Sequence, residues 1–208
     1  MTDIQDNRVV FSDDEAFATI GEAYYRGLGI KRDFNEAFRF YRKAANLGNA
    51  AAMRRMGDCF KLGLGTDVDL EAALTCYETA SEKGDACATR TIGDFYRDGF
   101  SAFITKDNRK ATDLYLTALQ QAKRNYDAWS AADIYLRIGD CMLKGIGIEK
   151  DVESAYEFYE AAANLFADRM DSGDTEAEEL LEKADLGMKQ CNEILGYDEI
   201  PADDFFDA

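Results

Sequence analysis

Ile20-Gly-Glu-Ala-Tyr-Tyr-Arg-Gly-Leu-Gly29 decides the reading of this chain, because it occurs four times. It returns as Met56-Gly-Asp-Cys-Phe-Lys-Leu-Gly-Leu-Gly65, as Ile92-Gly-Asp-Phe-Tyr-Arg-Asp-Gly-Phe-Ser101 and as Ile138-Gly-Asp-Cys-Met-Leu-Lys-Gly-Ile-Gly147. The leading glycines, Gly21, Gly57, Gly93 and Gly139, stand 36, 36 and 46 residues apart. A period of this length marks stacked supersecondary units, none able to bury its apolar face alone.

Working outward from the stretch, each unit reads as two helices. Ala16, Ile20, Gly21, Ala23 and Tyr24 share one helical face, as do Ala52, Met56, Gly57, Cys59 and Phe60. Gly27-Leu-Gly29 ends the first helix, since glycine accepts the left-handed conformation of a C-terminal cap. Asp33, Asp69, Asp107 and Asp151 then stand where a second helix needs an N-cap. That helix carries Ala37, Tyr41 and Ala44, repeated as Ala73, Tyr77 and Ala80, as Ala111, Tyr115 and Ala118, and as Ala155, Tyr159 and Ala162. The spacing puts one alanine–tyrosine–alanine stripe on a single face. Alanine lets the helices approach, and tyrosine fills the groove with its hydroxyl kept near water.

A glycine inside a helix costs roughly 0.5–1 kcal/mol against alanine. Paying this in every unit predicts that the partner helix crosses at the glycine, where a side chain would collide.

The ends and the third unit depart from the plan. Residues 1–11 form an N-terminal extension whose Val9, Val10 and Phe11 are placed to pack on the first helix, and Ser12-Asp-Asp-Glu15 is a capping box. Repeats are expected over about 12–48, 49–84, 85–131 and 132–171, with a capping helix over 174–195 opened by Thr175-x-x-Glu178. Leu186-Gly187 marks that helix as a degenerate half-repeat. Repeat three lengthens its inner turn and adds Gln120–Ser130, which carries Tyr126 and the only tryptophan, Trp129. Residues 196–208 are an acidic tail containing Phe205 and Phe206.

Composition excludes several functions. Histidine is absent, which removes the commonest general base and metal ligand together. The net charge is −17, and residues 168–208 carry 14 acids against 3 bases, so no cationic footprint for nucleic acid exists. No window is apolar enough for a membrane span, the first residues carry no basic start followed by an apolar run and so predict no signal peptide, and the five cysteines form no CxxC pair. These features predict a cytoplasmic location and no disulfide framework. Cys59, Cys76 and Cys141 fall on core positions as reduced thiols. Asp67-x-Asp69-x-Glu71 imitates a calcium loop in spacing, but Ala72 stands where its glycine is needed, and acids at a helix start account for it better.

The repeat resembles the Sel-1-like repeat, a relative of the tetratricopeptide repeat. Ala50, Ala52, Met56-Gly57, Phe60, Gly63, Gly65, Asp69, Ala73, Tyr77 and Ala80 follow that pattern in order, and the likeness covers about residues 12–166. Repeat three lacks the second turn glycine and has Ser101 there. The resemblance implies an all-α solenoid, a right-handed superhelix of antiparallel helix pairs, serving as an adaptor or scaffold without cofactor. Some secreted members are cysteine-stapled and linked to penicillin binding or hydrolysis. This chain has neither that cysteine pairing nor a Ser-x-x-Lys, so the activity is not carried over.

On that implied fold the residues after the leading glycines, Glu22, Asp58, Asp94 and Asp140, form a ladder of carboxylates on the first-helix face. One reading makes them a groove for a basic or amide-rich peptide, together with Tyr25, Lys61, Arg97 and Lys144. The other pairs each acid within its own helix, as Glu22–Arg26, Asp58–Lys61, Asp94–Arg97 and Asp140–Lys144. Trp129 is a separate candidate anchor for a partner. The expected function is therefore a non-enzymatic protein- or peptide-binding scaffold using the concave face, with no metal, no membrane and no nucleic acid. A carboxylate-based hydrolase and a secretion-associated effector on the same fold are the alternatives.

Overall fold

The structure, a computed structural model, describes residues 12–197. The expectations for Val9, Val10 and Phe11, and for the tail beyond Tyr197 with Phe205 and Phe206, lie outside the described residues. Those residues form nine α-helices and no strand, in the all-α repeat class that the periodicity predicts; one isolated bridge joins Phe100 and Ile104. None of these helices is long and apolar enough to cross a membrane.

The chain divides into two compact units, up to Lys83 and from Gly84 onward. In the first, α1 (Asp13–Arg26) pairs with α2 (Phe34–Asn46) and α3 (Ala50–Leu62) pairs with α4 (Leu70–Glu82), with α3 also lying against α2. In the second, α5 (Ala86–Asp98) pairs with α6 (Asn108–Arg124), and α7 (Ala128–Lys144) pairs with α8 (Val152–Asp171). The final helix, α9 (Ala177–Leu195), packs against α8 and along α7.

The caps form as local chemistry requires. Asp33, Asp69, Asp107 and Asp151 each accept from a backbone N–H of the second helix they open, at 2.9–3.0 Å. Asn49, Asp85 and Asp127 do the same for α3, α5 and α7, a regularity the sequence reading passed over. Thr175 does not open α9. The N-cap of that helix is Glu176, with no side-chain cap bond, and Asp174 orders the turn before it, accepting from Glu176 N–H at 3.1 Å while its other oxygen holds Arg169. A carboxylate fixed by a guanidinium is the stronger local acceptor. Gln120–Ser130 is spent on lengthening α6 and α7 to 17 residues each, against 13 in α2 to α5.

Tyr41, Tyr77, Tyr115 and Tyr159 are the centre of each pair and are at most 1 % exposed. A Cβ built on Gly21, Gly57, Gly93 or Gly139 would stand 2.6–3.0 Å from the tyrosine ring of the partner helix, so the crossing argument holds at all four. Gly187 uses the same device on α9: its Cβ would fall 2.5 Å from Tyr159, which is thus enclosed by Gly139 and Gly187. Cys59, Cys141 and Cys191 are buried free thiols; Cys76, expected in the core, is only half-buried. Ile92 and Ile138 are at most 7 % exposed, whereas Ile20 is 38 % exposed.

Candidate functional site

A tyrosine ring driven between two helices carries its hydroxyl inward, and an unsatisfied buried hydroxyl costs about 1–3 kcal/mol. The expectation that it stays near water is not met. The acid beside each glycine accepts it: Tyr41 donates to Glu22 at 2.7 Å, Tyr77 to Asp58 at 2.7 Å, Tyr115 to Asp94 at 2.8 Å and Tyr159 to Asp140 at 3.0 Å. Glycine admits the ring and the next residue accepts its hydroxyl, so the two form one packing device. Burial, reinforced by the facing carboxylate, pushes all four phenol pKa values up and keeps these groups as donors.

The acids nevertheless keep an open edge. Side-chain exposure is 26 % for Glu22, 24 % for Asp58, 18 % for Asp94 and 46 % for Asp140. Their cations come partly as expected. Arg26 pairs with Glu22, Arg97 with Asp94 at 3.3 Å and Lys144 with Asp140 at 3.0 Å. Asp58 is met from its N-terminal side by Arg54 and Arg55, at 3.8 and 3.6 Å, while Lys61 lies over the Tyr77 ring.

Sequence reasoning missed the cations that cross between first helices. Arg55 on α3 reaches back to Glu22 on α1 at 3.0 Å and lies over Tyr25, whose ring packs on Phe34 and Tyr41. Arg137 on α7 makes a fork onto Asp94 on α5, at 2.7 and 3.1 Å, and Arg90 adds a bond at 2.9 Å. Both crossing arginines stand two residues before a leading glycine, in repeats two and four; repeats one and three have Thr19 and Thr91 there. That alternation is legible in the sequence as a period of two repeats. Burial alone would raise the pKa of Asp94 and of Glu22, but Arg137 and Arg90 at the first, and Tyr41, Arg55 and Arg26 at the second, hold both below the usual carboxylate value. Every described carboxylate with a displaced pKa is displaced downward, the reverse of what a proton-donating carboxylic acid needs.

Trp129 stands in the first turn of α7. It is 52 % exposed, and the Arg169 guanidinium stacks on it at 4.5 Å. Arg169 is itself buried, bonded to Asp133 and Asp174 and stacked on Phe166. One face of Trp129 thus serves to enclose that ion-pair network. Tyr126, in the preceding turn at φ 55°, is 95 % exposed. Among the described residues no group of His, Cys, Asp or Glu is placed to hold a metal ion, and Asp69 of the calcium-like spacing is a helix cap. Burial raises the Cys59 thiol to about 12, far from a reactive thiolate.

A family model described as Sel1 repeat matches residues 20–49, 50–85, 92–122 and 133–165. A Sel1 repeat protein from Oxalobacter formigenes superposes with a TM-score of 0.65 at 24 % identity, over 92 % of this chain and 76 % of that one. A protective antigen of uropathogenic Escherichia coli strains with an SLR fold gives 0.49 at 22 %, over 89 % of this chain and 47 % of that one. Helicobacter pylori cysteine rich protein B gives 0.47 at 26 %, over 74 % and 99 %. No curated protein matches the chain.

Proposed function

Because the chain belongs to the Sel1 repeat family, we propose that it is a protein- or peptide-binding scaffold whose recognition surface is the first-helix face of its repeats. One observation carries this reading: the four acids on that face are held in place by tyrosine hydroxyls and cations while keeping 18–46 % of their side chains exposed. Acceptors fixed in advance lose little conformational entropy when a partner's backbone or side chains bind them. Glu22, Asp58, Asp94 and Asp140 are in this reading contact groups as well as packing groups, with Tyr25, Lys61, Arg97 and Lys144 beside them.

The double role rules out replacing the whole ladder by alanine as a test, since four buried hydroxyls would lose their acceptors. The direct test is hydrogen exchange with a peptide selected on the protein from a random twelve-residue display library. Protection is expected in α1, α3, α5 or α7. Protection confined to α2, α4, α6 or α8 would move the binding surface to the other face.

A further inference from the structure

Glu22 and Asp94 are built alike. Each takes a tyrosine hydroxyl from the second helix, a cation three or four residues on in its own helix, and an arginine from the next first helix. Asp140 has the first two of these and lacks the third. The helix that follows it is α9, and the position two before Gly187 is Asp185, which is exposed and acidic. Tyr159 and Lys144 both donate to Oδ1 of Asp140, and Oδ2 has no donor among the described residues. Where the crossing arginine would lie there is a groove of about 160 Å³ lined by Leu136, Asp140, Lys144, Lys183, Leu186 and Gln190. That is well under the roughly 300–1,000 Å³ of small-molecule sites and suits a single side chain.

We infer that this groove takes an arginine side chain of a bound basic peptide, which donates to Asp140 as Arg55 donates to Glu22 and Arg137 to Asp94. The inference rests on the peptide-binding reading and names its partner's chemistry. The two groove lysines do not argue for an anion. Lys144 is neutralised by Asp140 at 3.0 Å and Lys183 by Glu179 at 2.7 Å, and Glu22 shows that an own-helix cation and an incoming arginine share one carboxylate. Leu186, 56 % exposed at the groove, offers the apolar seat for the arginine's stem or an adjoining aliphatic residue.

The test uses the full chain and peptides recovered from the same random twelve-residue library. Arginine is expected to be enriched, and Asp140→Asn, which keeps an acceptor for Tyr159, is expected to weaken the selected peptides about tenfold or more. Glu160→Gln on α8 is expected to leave binding within about twofold. Asp185→Arg restores the missing arginine from within the chain, so it should raise the melting temperature and displace the peptides. Peptides enriched in acids, or binding unchanged in both Asp140→Asn and Asp185→Arg, overturn the arginine assignment while leaving a peptide-binding surface in place. A library that yields no binder to the wild-type chain overturns the peptide-binding reading and the inference with it.

Discussion

Asp94 and Asp140 share the tripeptide Ile-Gly-Asp and each accepts from the tyrosine of its own helix pair, yet they sit in unequal electrostatic settings. Asp94 faces Arg90, Arg97 and Arg137 and is 18 % exposed; Asp140 faces Lys144 and is 46 % exposed. Part of the difference is local, since Arg90 stands one helical turn before Asp94 where Leu136 stands before Asp140. The rest comes from the next first helix, which brings Arg137 to Asp94 and, in α9, Asp185 in place of an arginine for Asp140. The repeat therefore fixes what is common, a glycine, a tyrosine and an acid, while the neighbouring repeat supplies or withholds the arginine that crosses onto that acid. The first unit repeats the closed arrangement at Glu22 with Arg55.

The contrast breaks most sharply under Asp→Asn. Asp94→Asn leaves three guanidinium groups facing a neutral amide and is expected to cost about 2–3 kcal/mol in urea unfolding, discounted from the value for fully buried pairs because the site is partly solvated. Asp140→Asn at its more open site should cost less than about 1 kcal/mol. Equal losses would mean that the crossing arginine contributes nothing to the closed site.

The shared part of the device is tested by Gly93→Leu. Its Cβ would lie 2.6 Å from the Tyr115 ring and 3.3 Å from the Ala111 carbonyl, so overpacking on the order of 1–3 kcal/mol is expected. An unchanged melting midpoint would show that the helices separate freely at the glycine.

The smallest effect is a pH dependence. Asp94 has a folded-state pKa below its unfolded value of about 3.9, so its stabilisation is complete above that pH. It is lost as pH falls through the lower folded pKa. Wild-type stability should decline more steeply than that of Asp94→Asn below about pH 4, read as denaturation midpoints across a pH series. Parallel declines would remove Asp94 from the acid response.

Much of this molecule is legible without coordinates. The glycine and tyrosine periods, the aspartate caps and the helix lengths all follow from short-range rules, because a helix face and a cap are set within a few residues. The crossing at the glycines could be inferred because a regular propensity cost needs a regular cause, and the tyrosine rings at 2.6–3.0 Å supply it. The acids were visible as a recurring position, but their bonds were not. Tyr41 and Glu22 lie 19 residues apart, and Arg137 and Asp94 lie 43 apart. Pairings at those separations depend on how the ring enters the helix pair and on which side chain the next helix presents. What the sequence determined by itself was the repeat: two helices, their caps, and a glycine that must receive a ring. Only the tertiary structure decided that the ring's hydroxyl stays inside on the neighbouring acid, and that Asp140 is left without the arginine that closes Glu22 and Asp94. A buried hydroxyl must find an acceptor wherever packing puts it, whereas a solvent-facing carboxylate is closed only if another helix happens to bring a cation.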